Sequence, residues 1–163
     1  MKENSFVIVA FLKSPDEGMV FDASQWPLHI TVIPPFFVDA LYDQATFLKD
    51  IEQSTSKTES ISFTIGEKTL FGKNNDVPVF TLQKNAGLER LHNLLLKTLH
   101  QRYRVSFTEP QFVGENYRPH ITIVQQGLYA IDHREAVIKM ISIVDRLPSG
   151  DSTKRKVIKN IEF

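Results

Sequence analysis

Residues 28–36 read Leu28-His29-Ile30-Thr31-Val32-Ile33-Pro34-Pro35-Phe36, an apolar run that is interrupted at two alternate positions. Its β-branched residues predict a buried strand over Leu28–Ile33, and the proline pair predicts the end of that strand because proline cannot donate to a central ladder. Residues i and i+2 of a strand share a face. His29 and Thr31 therefore project together, while Ile30 and Val32 face the core.

The same tripeptide returns downstream in "RPHITIV", as His120-Ile121-Thr122. Random placement of the residues of this chain predicts about 0.03 copies of His-Ile-Thr, so two copies are far beyond chance. We expect a second strand over His120–Val124, with His120 and Thr122 on one of its faces. The same pair of polar side chains is therefore predicted on two separate strands.

Two imidazoles and two hydroxyls brought face to face suit one kind of chemistry. Histidine titrates near neutral pH, so a neutral ring can take a proton from a nucleophile while a protonated ring gives one to a leaving oxygen. Threonine hydroxyls can donate hydrogen bonds to the nonbridging oxygens of a phosphate. We therefore predict in-line phosphoester transfer without a metal or another cofactor, with His29, Thr31, His120 and Thr122 as the catalytic residues.

Two other interpretations remain open on the sequence alone. The chain could be a non-catalytic module that binds nucleotides or RNA ends, in which case it needs no proton-transfer pair. It could also be a metal-dependent hydrolase, although no third histidine and no acidic residue stands at a recognisable ligand spacing beside either motif.

The rest of the chain mixes strands and helices without the regular spacing of parallel βαβ units. This order favours an α+β fold with antiparallel sheets, formed by residues 1–163 as a single domain. Leucines at helical spacing predict a helix over about Ala86–Arg102. Two further helices are predicted from cap residues, one from Asp39 to about Glu52, with Leu41 on its apolar face, and one from Asp132 through about Val144.

Composition narrows the class of partner. The 163 residues include 19 basic and 19 acidic side chains, so the net charge is zero. A protein that grips many phosphates normally has a basic surplus, so if this chain binds RNA we expect it to bind a short stretch, an end or a fragment as small as a nucleotide. The apolar run Phe6–Leu12 is too short to span a membrane, and we expect a cytoplasmic monomer without a membrane partner.

The two motifs are where the chain resembles a known family. Two H-x-[T/S]-x motifs with apolar x, separated by 120 − 29 = 91 residues, are similar to those of the 2H phosphoesterases, which include 2′-5′ RNA ligase-like proteins and cyclic phosphodiesterases. The resemblance implies two pseudosymmetric lobes, each an antiparallel sheet with outer helices, around a central groove. It also implies His29 and His120 as the acid–base pair, and a 2′,3′-cyclic phosphate or a 2′-5′ bond as the substrate.

One departure from the family pattern concerns the residues after the second motif. Many RNA ligase-like members carry an arginine there, whereas this chain has Gln125 and Gln126. The departure bears on substrate preference and not on the phosphoester chemistry.

Several other residues are candidates for contacts with substrate. Arg118 precedes His120 by two residues and is predicted to contact phosphate. Aromatic side chains can stack on bases, and the candidates for this role are Phe36 and Tyr117, followed by Trp26 and Phe71. The remaining histidines are assigned no catalytic role, because His92 is predicted at the margin of its helix's apolar face and both His100 and His133 at the surface.

Overall fold

The fold is described from a computed structural model, which describes residues 3–123 and 135–163. These residues form two α-helices and ten β-strands. The helices are α1 (Gln44–Ser54) and α2 (Ala86–Arg102). The strands are β1 (Glu3–Phe11), β2 (Val20–Asp22), β3 (His29–Asp39), β4 (Ile61–Phe71), β5 (Val77–Leu82), β6 (Val105–Phe107), β7 (His120–Thr122), β8 (Glu135–Ile138), β9 (Met140–Asp145) and β10 (Lys154–Glu162).

The strands lie in one antiparallel sheet of two groups. The order β2-β10-β9-β1-β3 forms the first group and β7-β5-β4-β8 the second, while β6 pairs with the far end of β3. The two groups meet at the junction of β3 and β7, called the seam below, where Ile30 pairs with Ile121. The predicted α+β fold with antiparallel pairing is therefore confirmed, and each His-Ile-Thr motif lies in its own group at the seam.

Both helices pack on the same side of the sheet, against each other and over the seam. The main core lies beneath them and takes buried residues from both groups of strands, among them Ile30, Phe63 and Ile121. Leu88, Leu91, Leu95 and Leu99 of α2 face this core, as their spacing predicted. A smaller cluster covers the other face of the first group and contains Val9, Phe11 and Phe21, with Trp26 packed against it.

The first motif strand does not stop at the proline pair, so the predicted end at Ile33 is wrong. β3 continues through Pro34 and Pro35 to Asp39. The register with β1 shifts at this point, since Phe6 pairs with Phe36 but Ile8 with Ile33. Prolines are tolerated at such bulges because no ladder donor is required there.

Two predicted helices also need correction. α1 begins after Asp43, whose carboxylate accepts from the Thr46 backbone N–H at 2.9 Å, and not after Asp39. Leu41 therefore lies before the helix and is 84% exposed.

The helix predicted through Val144 is wrong, because β8 and β9 occupy residues 135–138 and 140–145. Ile141, Ile143 and Val144 are fully buried in the middle of the sheet. There the packing of β-branched side chains against both neighbouring strands outweighs the local cap signal. The start of that predicted helix lies outside the described residues.

Candidate active site

The two motifs come together on the face of the sheet opposite the helices. Ile30 and Ile121 pair across the seam and are fully buried in the main core. The residues on either side of each isoleucine point to the other face because side chains alternate along a strand. His29, Thr31, His120 and Thr122 therefore share that face, and all four are half-buried.

The antiparallel register sets which motif residues lie opposite one another. Continuing from the Ile30–Ile121 pair, His29 lies across from Thr122 and Thr31 across from His120. Directly opposite residues have Cβ atoms within about 5.5 Å of each other. Each histidine thus has the threonine of the other motif as its cross-strand neighbour.

The two imidazoles are held in the same way. Nδ1 of His29 lies 2.8 Å from the carbonyl oxygen of Pro27, and Nδ1 of His120 lies 2.8 Å from that of Arg118. A carbonyl can only accept, so Nδ1 donates in both rings and carries the proton of the neutral tautomer. Nε2 is then the nitrogen that is left for proton transfer in each ring.

An aromatic ring packs against each imidazole. Trp26 lies against His29 with ring centroids 4.7 Å apart, and Phe71 lies edge-on to His120 at 4.9 Å. Phe11 is a second neighbour of His29, at 6.0 Å. These contacts, together with the carbonyl bonds, restrict the orientation of both imidazoles.

The environment of His29 favours its neutral form. Burial lowers the pKa of His29 below its ordinary value of 6.5, and the nearby charge of His120 lowers it further, against an opposing effect of the Pro27 carbonyl. The site therefore favours a neutral imidazole at His29, the form that can accept a proton.

Comparison with known proteins identifies the family. The family model described as "2'-5' RNA ligase superfamily" matches residues 13–148, which include both motifs. The chain belongs to the 2′-5′ RNA ligase superfamily. A search of curated protein sequences found no match.

Solved structures share the fold of this superfamily member. E. coli LigT complexed with 3′-AMP superposes with a TM-score of 0.62 at 14% sequence identity, covering 99% of each chain. A structure described as a phosphoesterase gives 0.61 at 13% identity, with 99% of each chain covered. TT0787 of Thermus thermophilus gives 0.56 at 14% identity, with 97% of each chain covered.

The other predicted substrate contacts differ in their surroundings. Arg118 has an exposed side chain, and its contact with phosphate stays a prediction. Phe36 is fully buried and packs against Phe6, Phe47 and Phe107. Its predicted contact with substrate is therefore wrong, since it has no surface to offer and its apolar area stabilises the core.

The contacts of Tyr117 within the protein explain its position without a nucleobase stacked on its ring. Its hydroxyl donates to the carbonyl oxygen of Thr31 at 2.9 Å, and one face of its ring is covered by His92. Stacking of Tyr117, Trp26 or Phe71 on a nucleobase stays a prediction; Trp26 and Phe71 are half-buried beside the two motif histidines. Gln125, Gln126 and His133 lie outside the described residues.

The position predicted for His92 is wrong. The sequence places it at the margin of the apolar face of α2, but it is only 1% exposed, and its Nδ1 lies 2.7 Å from the Val32 carbonyl oxygen. Its spacing of four from Leu88 and three from Leu95 is the pattern of a core position. A polar residue at such a position indicates a buried hydrogen-bonding role.

Two further observations concern metals and membranes. Across residues 3–123 and 135–163, no three His, Asp or Glu side chains come close enough to hold a metal ion. Neither helix of this part of the chain is long and apolar enough to cross a membrane.

Proposed function

We propose that this chain is a phosphoesterase that acts on a 2′,3′-cyclic phosphate or a 2′-5′-linked ribonucleotide end by two-histidine acid–base catalysis without a metal. The observation that carries the proposal is the shared geometry of the two motifs. Both place a histidine and a threonine on one face of the seam, with Nδ1 of each histidine bound to a backbone carbonyl.

The reaction follows from the two Nε2 atoms. In hydrolysis, the neutral imidazole takes a proton from water as the water oxygen bonds to phosphorus. The protonated imidazole gives its proton to the ribose oxygen as the P–O bond to that oxygen breaks. After one turnover the protonation states of the two rings are exchanged, and in the reverse direction the acid and the base exchange roles.

The threonines supply hydrogen bonds to the charge that develops on the phosphate. Thr31 and Thr122 lie diagonally across the seam, so their hydroxyls approach the phosphate from two sides. Hydrogen bonds to a charged group are worth about 1.5–3 kcal/mol each, and donors already in place need no reorganisation during the reaction. The exposed guanidinium of Arg118 would add a contact to a nonbridging oxygen or to a neighbouring phosphate.

A nucleotide is the substrate class that the relatives support. E. coli LigT, which shares the fold, has been crystallised with 3′-AMP, ATP and NADP⁺. The net charge of zero agrees with a small ligand more than with a long RNA duplex. The single domain, the monomeric state and the cytoplasmic location expected from the sequence stay predictions.

The proposal is tested by turnover of a substrate panel. The panel contains 2′,3′-cyclic nucleotides, RNA ending in a cyclic phosphate, and 2′-5′-linked dinucleotides, assayed with chelator present. His29→Gln and His120→Gln should each lower kcat by about 10²–10⁴-fold, the usual contribution of a positioned acid or base. His100→Gln is the matched control, because His100 is exposed on α2.

Circular dichroism and thermal unfolding show whether the variants keep the fold. A kcat within about tenfold of wild type in folded His29→Gln or His120→Gln would contradict the acid–base assignment. Tight nucleotide binding without turnover of any panel member would instead favour a non-catalytic binding module on the same fold.

A further inference from the structure

A β-bulge lies directly after the first motif. Val9 of β1 pairs with Thr31, whereas Ile8 pairs with Ile33, so Val32 is the extra residue on β3. Bulges bend a strand and re-aim its side chains, and they are common beside active sites. The carbonyl groups at this bulge therefore influence where His29 and Thr31 point.

Two side chains donate hydrogen bonds to carbonyl groups at the bulge. The Tyr117 hydroxyl donates to the Thr31 carbonyl oxygen at 2.9 Å, and His92 Nδ1 donates to the Val32 carbonyl oxygen at 2.7 Å. The rings of His92 and Tyr117 are parallel within 1°, with centroids 4.0 Å apart. The two donors therefore act from one stacked unit.

The same unit holds the segment that leads into the second motif. Nε2 of His92 accepts from the Gly114 backbone N–H at 2.9 Å, and Gly114 has a φ of 69°, in the left-handed region that favours glycine. From Gly114 the chain turns to Tyr117 and then reaches His120 after two residues, one of them the rigid Pro119. The backbones of both motifs are thus tied to one pair of rings.

We propose that the stacked His92–Tyr117 pair is a positioning unit that sets the bulge of β3 and the start of β7 so that the two motifs meet in register. This role rests on the proposed function, but it also makes a structural prediction of its own. His92 is 1% exposed and stands on α2, so it acts through the Val32 carbonyl that it binds and not on substrate.

Hydrogen bonding explains why a histidine and a tyrosine suit positions 92 and 117. His92 donates with one nitrogen and accepts with the other, which requires the neutral ring, and burial keeps its pKa below 6.5. Burial also raises the pKa of Tyr117, so its hydroxyl remains a donor. A phenylalanine at 117 keeps the stack but leaves the Thr31 carbonyl without this partner.

The decisive experiment compares two tyrosine variants. Tyr117→Phe removes the hydroxyl that binds the Thr31 carbonyl, and Tyr103→Phe removes a hydroxyl that donates to Asp50 at 2.6 Å on the helix side. Both delete one hydrogen bond and keep the ring. We expect Tyr117→Phe to lower kcat on a 2′,3′-cyclic nucleotide by about tenfold with KM within about threefold, because small misplacements of reacting groups are costly.

The control should separate stability from positioning. Tyr103→Phe should lower the melting temperature at least as much as Tyr117→Phe while its kcat stays within about twofold of wild type. If Tyr117→Phe keeps a kcat within about twofold of wild type, or if kcat follows the melting temperature equally in both variants, the positioning role is overturned.

A second pair of variants tests His92. His92→Gln retains one donor and one acceptor, whereas His92→Leu retains neither. In folded protein, kcat of the glutamine variant should exceed that of the leucine variant by about fivefold or more. Equal kcat values for the two would contradict a role that depends on hydrogen bonding.

Amide NMR signals provide a readout that needs no activity. Tyr117→Phe should shift or broaden the signals of Thr31 and Thr122, while Tyr103→Phe leaves them in place. If wild type turns over no panel substrate and these signals still respond, the proposed function fails and the positioning role stands. If wild type is active and neither the signals nor kcat respond, only the positioning role fails.

Discussion

The backbone of Ile30 in β3 pairs with that of Ile121 in β7. Both side chains are fully buried beneath the helices, so the pair is fixed by the main core. The histidine that precedes each isoleucine and the threonine that follows it are consequently fixed on the opposite face. Burial of two isoleucines on one side of the sheet thus preorganises the polar residues on the other.

The first prediction concerns the hydroxyl groups of Thr31 and Thr122. Thr31→Val and Thr122→Val preserve shape and strand preference but remove the proposed donors to phosphate. We expect each change to lower kcat/KM by about 10–100-fold, equivalent to about 1.4–2.7 kcal/mol, mostly through kcat because charge grows on the phosphate oxygens in the transition state. The measurement is steady-state kinetics on 2′,3′-cyclic nucleotides.

Thr64→Val on β4 is the matched control, since Thr64 is also a half-buried strand residue but lies two strands away from β7. It should leave kcat/KM within about twofold of wild type. A motif variant with the same kinetics as this control would show that its hydroxyl makes no contact with the reacting phosphate.

The second prediction concerns the side chain of Arg118. Its side chain is exposed two residues before His120, while its backbone carbonyl holds the imidazole and is unaffected by substitution of the side chain. We expect Arg118→Ala to raise KM for a cyclic-phosphate RNA about five- to tenfold with kcat little changed, because a lost charge-assisted contact weakens binding. The dependence of KM on salt should become weaker in the variant.

Arg104→Ala provides the comparison, because Arg104 is likewise exposed and lies just beyond α2. If both arginine variants raise KM equally, the effect is one of overall charge and not of a specific phosphate contact. A wild-type KM in Arg118→Ala would remove Arg118 from the site.

Local sequence signals predicted some parts of this molecule well, and the reason is physical. α2 begins and ends where the leucine spacing predicted, because its apolar stripe faces a single core and Asn85 caps its first turn through the Leu88 backbone N–H. His29 and Thr31 share a face because alternation along a strand is a property of the backbone. Both signals depend only on residues close together in the chain.

Features that depend on distant parts of the chain were not predictable in the same way. The strand over 140–145 lies between β1 and β10, and nothing within its own residues shows that two strands will flank it. Its β-branched residues fit that position better than a helix, despite a cap-like pattern upstream. Phe36 was likewise misjudged because its pairing with Phe6 extends β3 past the proline pair, which its local sequence does not show. At an even spacing from Ile30 in that longer strand, Phe36 shares the buried face.

The contact between His92 and Tyr117 is the feature near the site that the sequence predicts least. His92 stands on a helix and Tyr117 in a turn 117 − 92 = 25 residues later, and they meet behind a bulge whose existence depends on the pairing of β1 with β3. The leucine spacing around His92 marks it as buried, but the carbonyl it satisfies is visible only in three dimensions.

The lowered pKa of His29 makes the last prediction. Because the folded protein binds a proton at His29 less readily than the unfolded chain, whose value is near 6.5, protonation favours unfolding. The free energy of unfolding should therefore be unaffected by His29 above about pH 7 and should decline as the pH falls from about 6.5 to 5. The carboxylates whose pKa values are lowered from the ordinary 3.8, such as Asp50, act at lower pH than this range.

Urea unfolding of wild type and His29→Gln at four pH values between about 7.5 and 5 measures this contribution. His92 also has a lowered pKa and is present in both proteins, so the difference between them isolates His29. Wild type should lose stability more steeply than the variant over this range because only wild type must protonate a half-buried imidazole near His120. Parallel curves would mean that protonation of His29 is not opposed in the folded protein, and the neutral form assigned to it near neutral pH would then have to be abandoned.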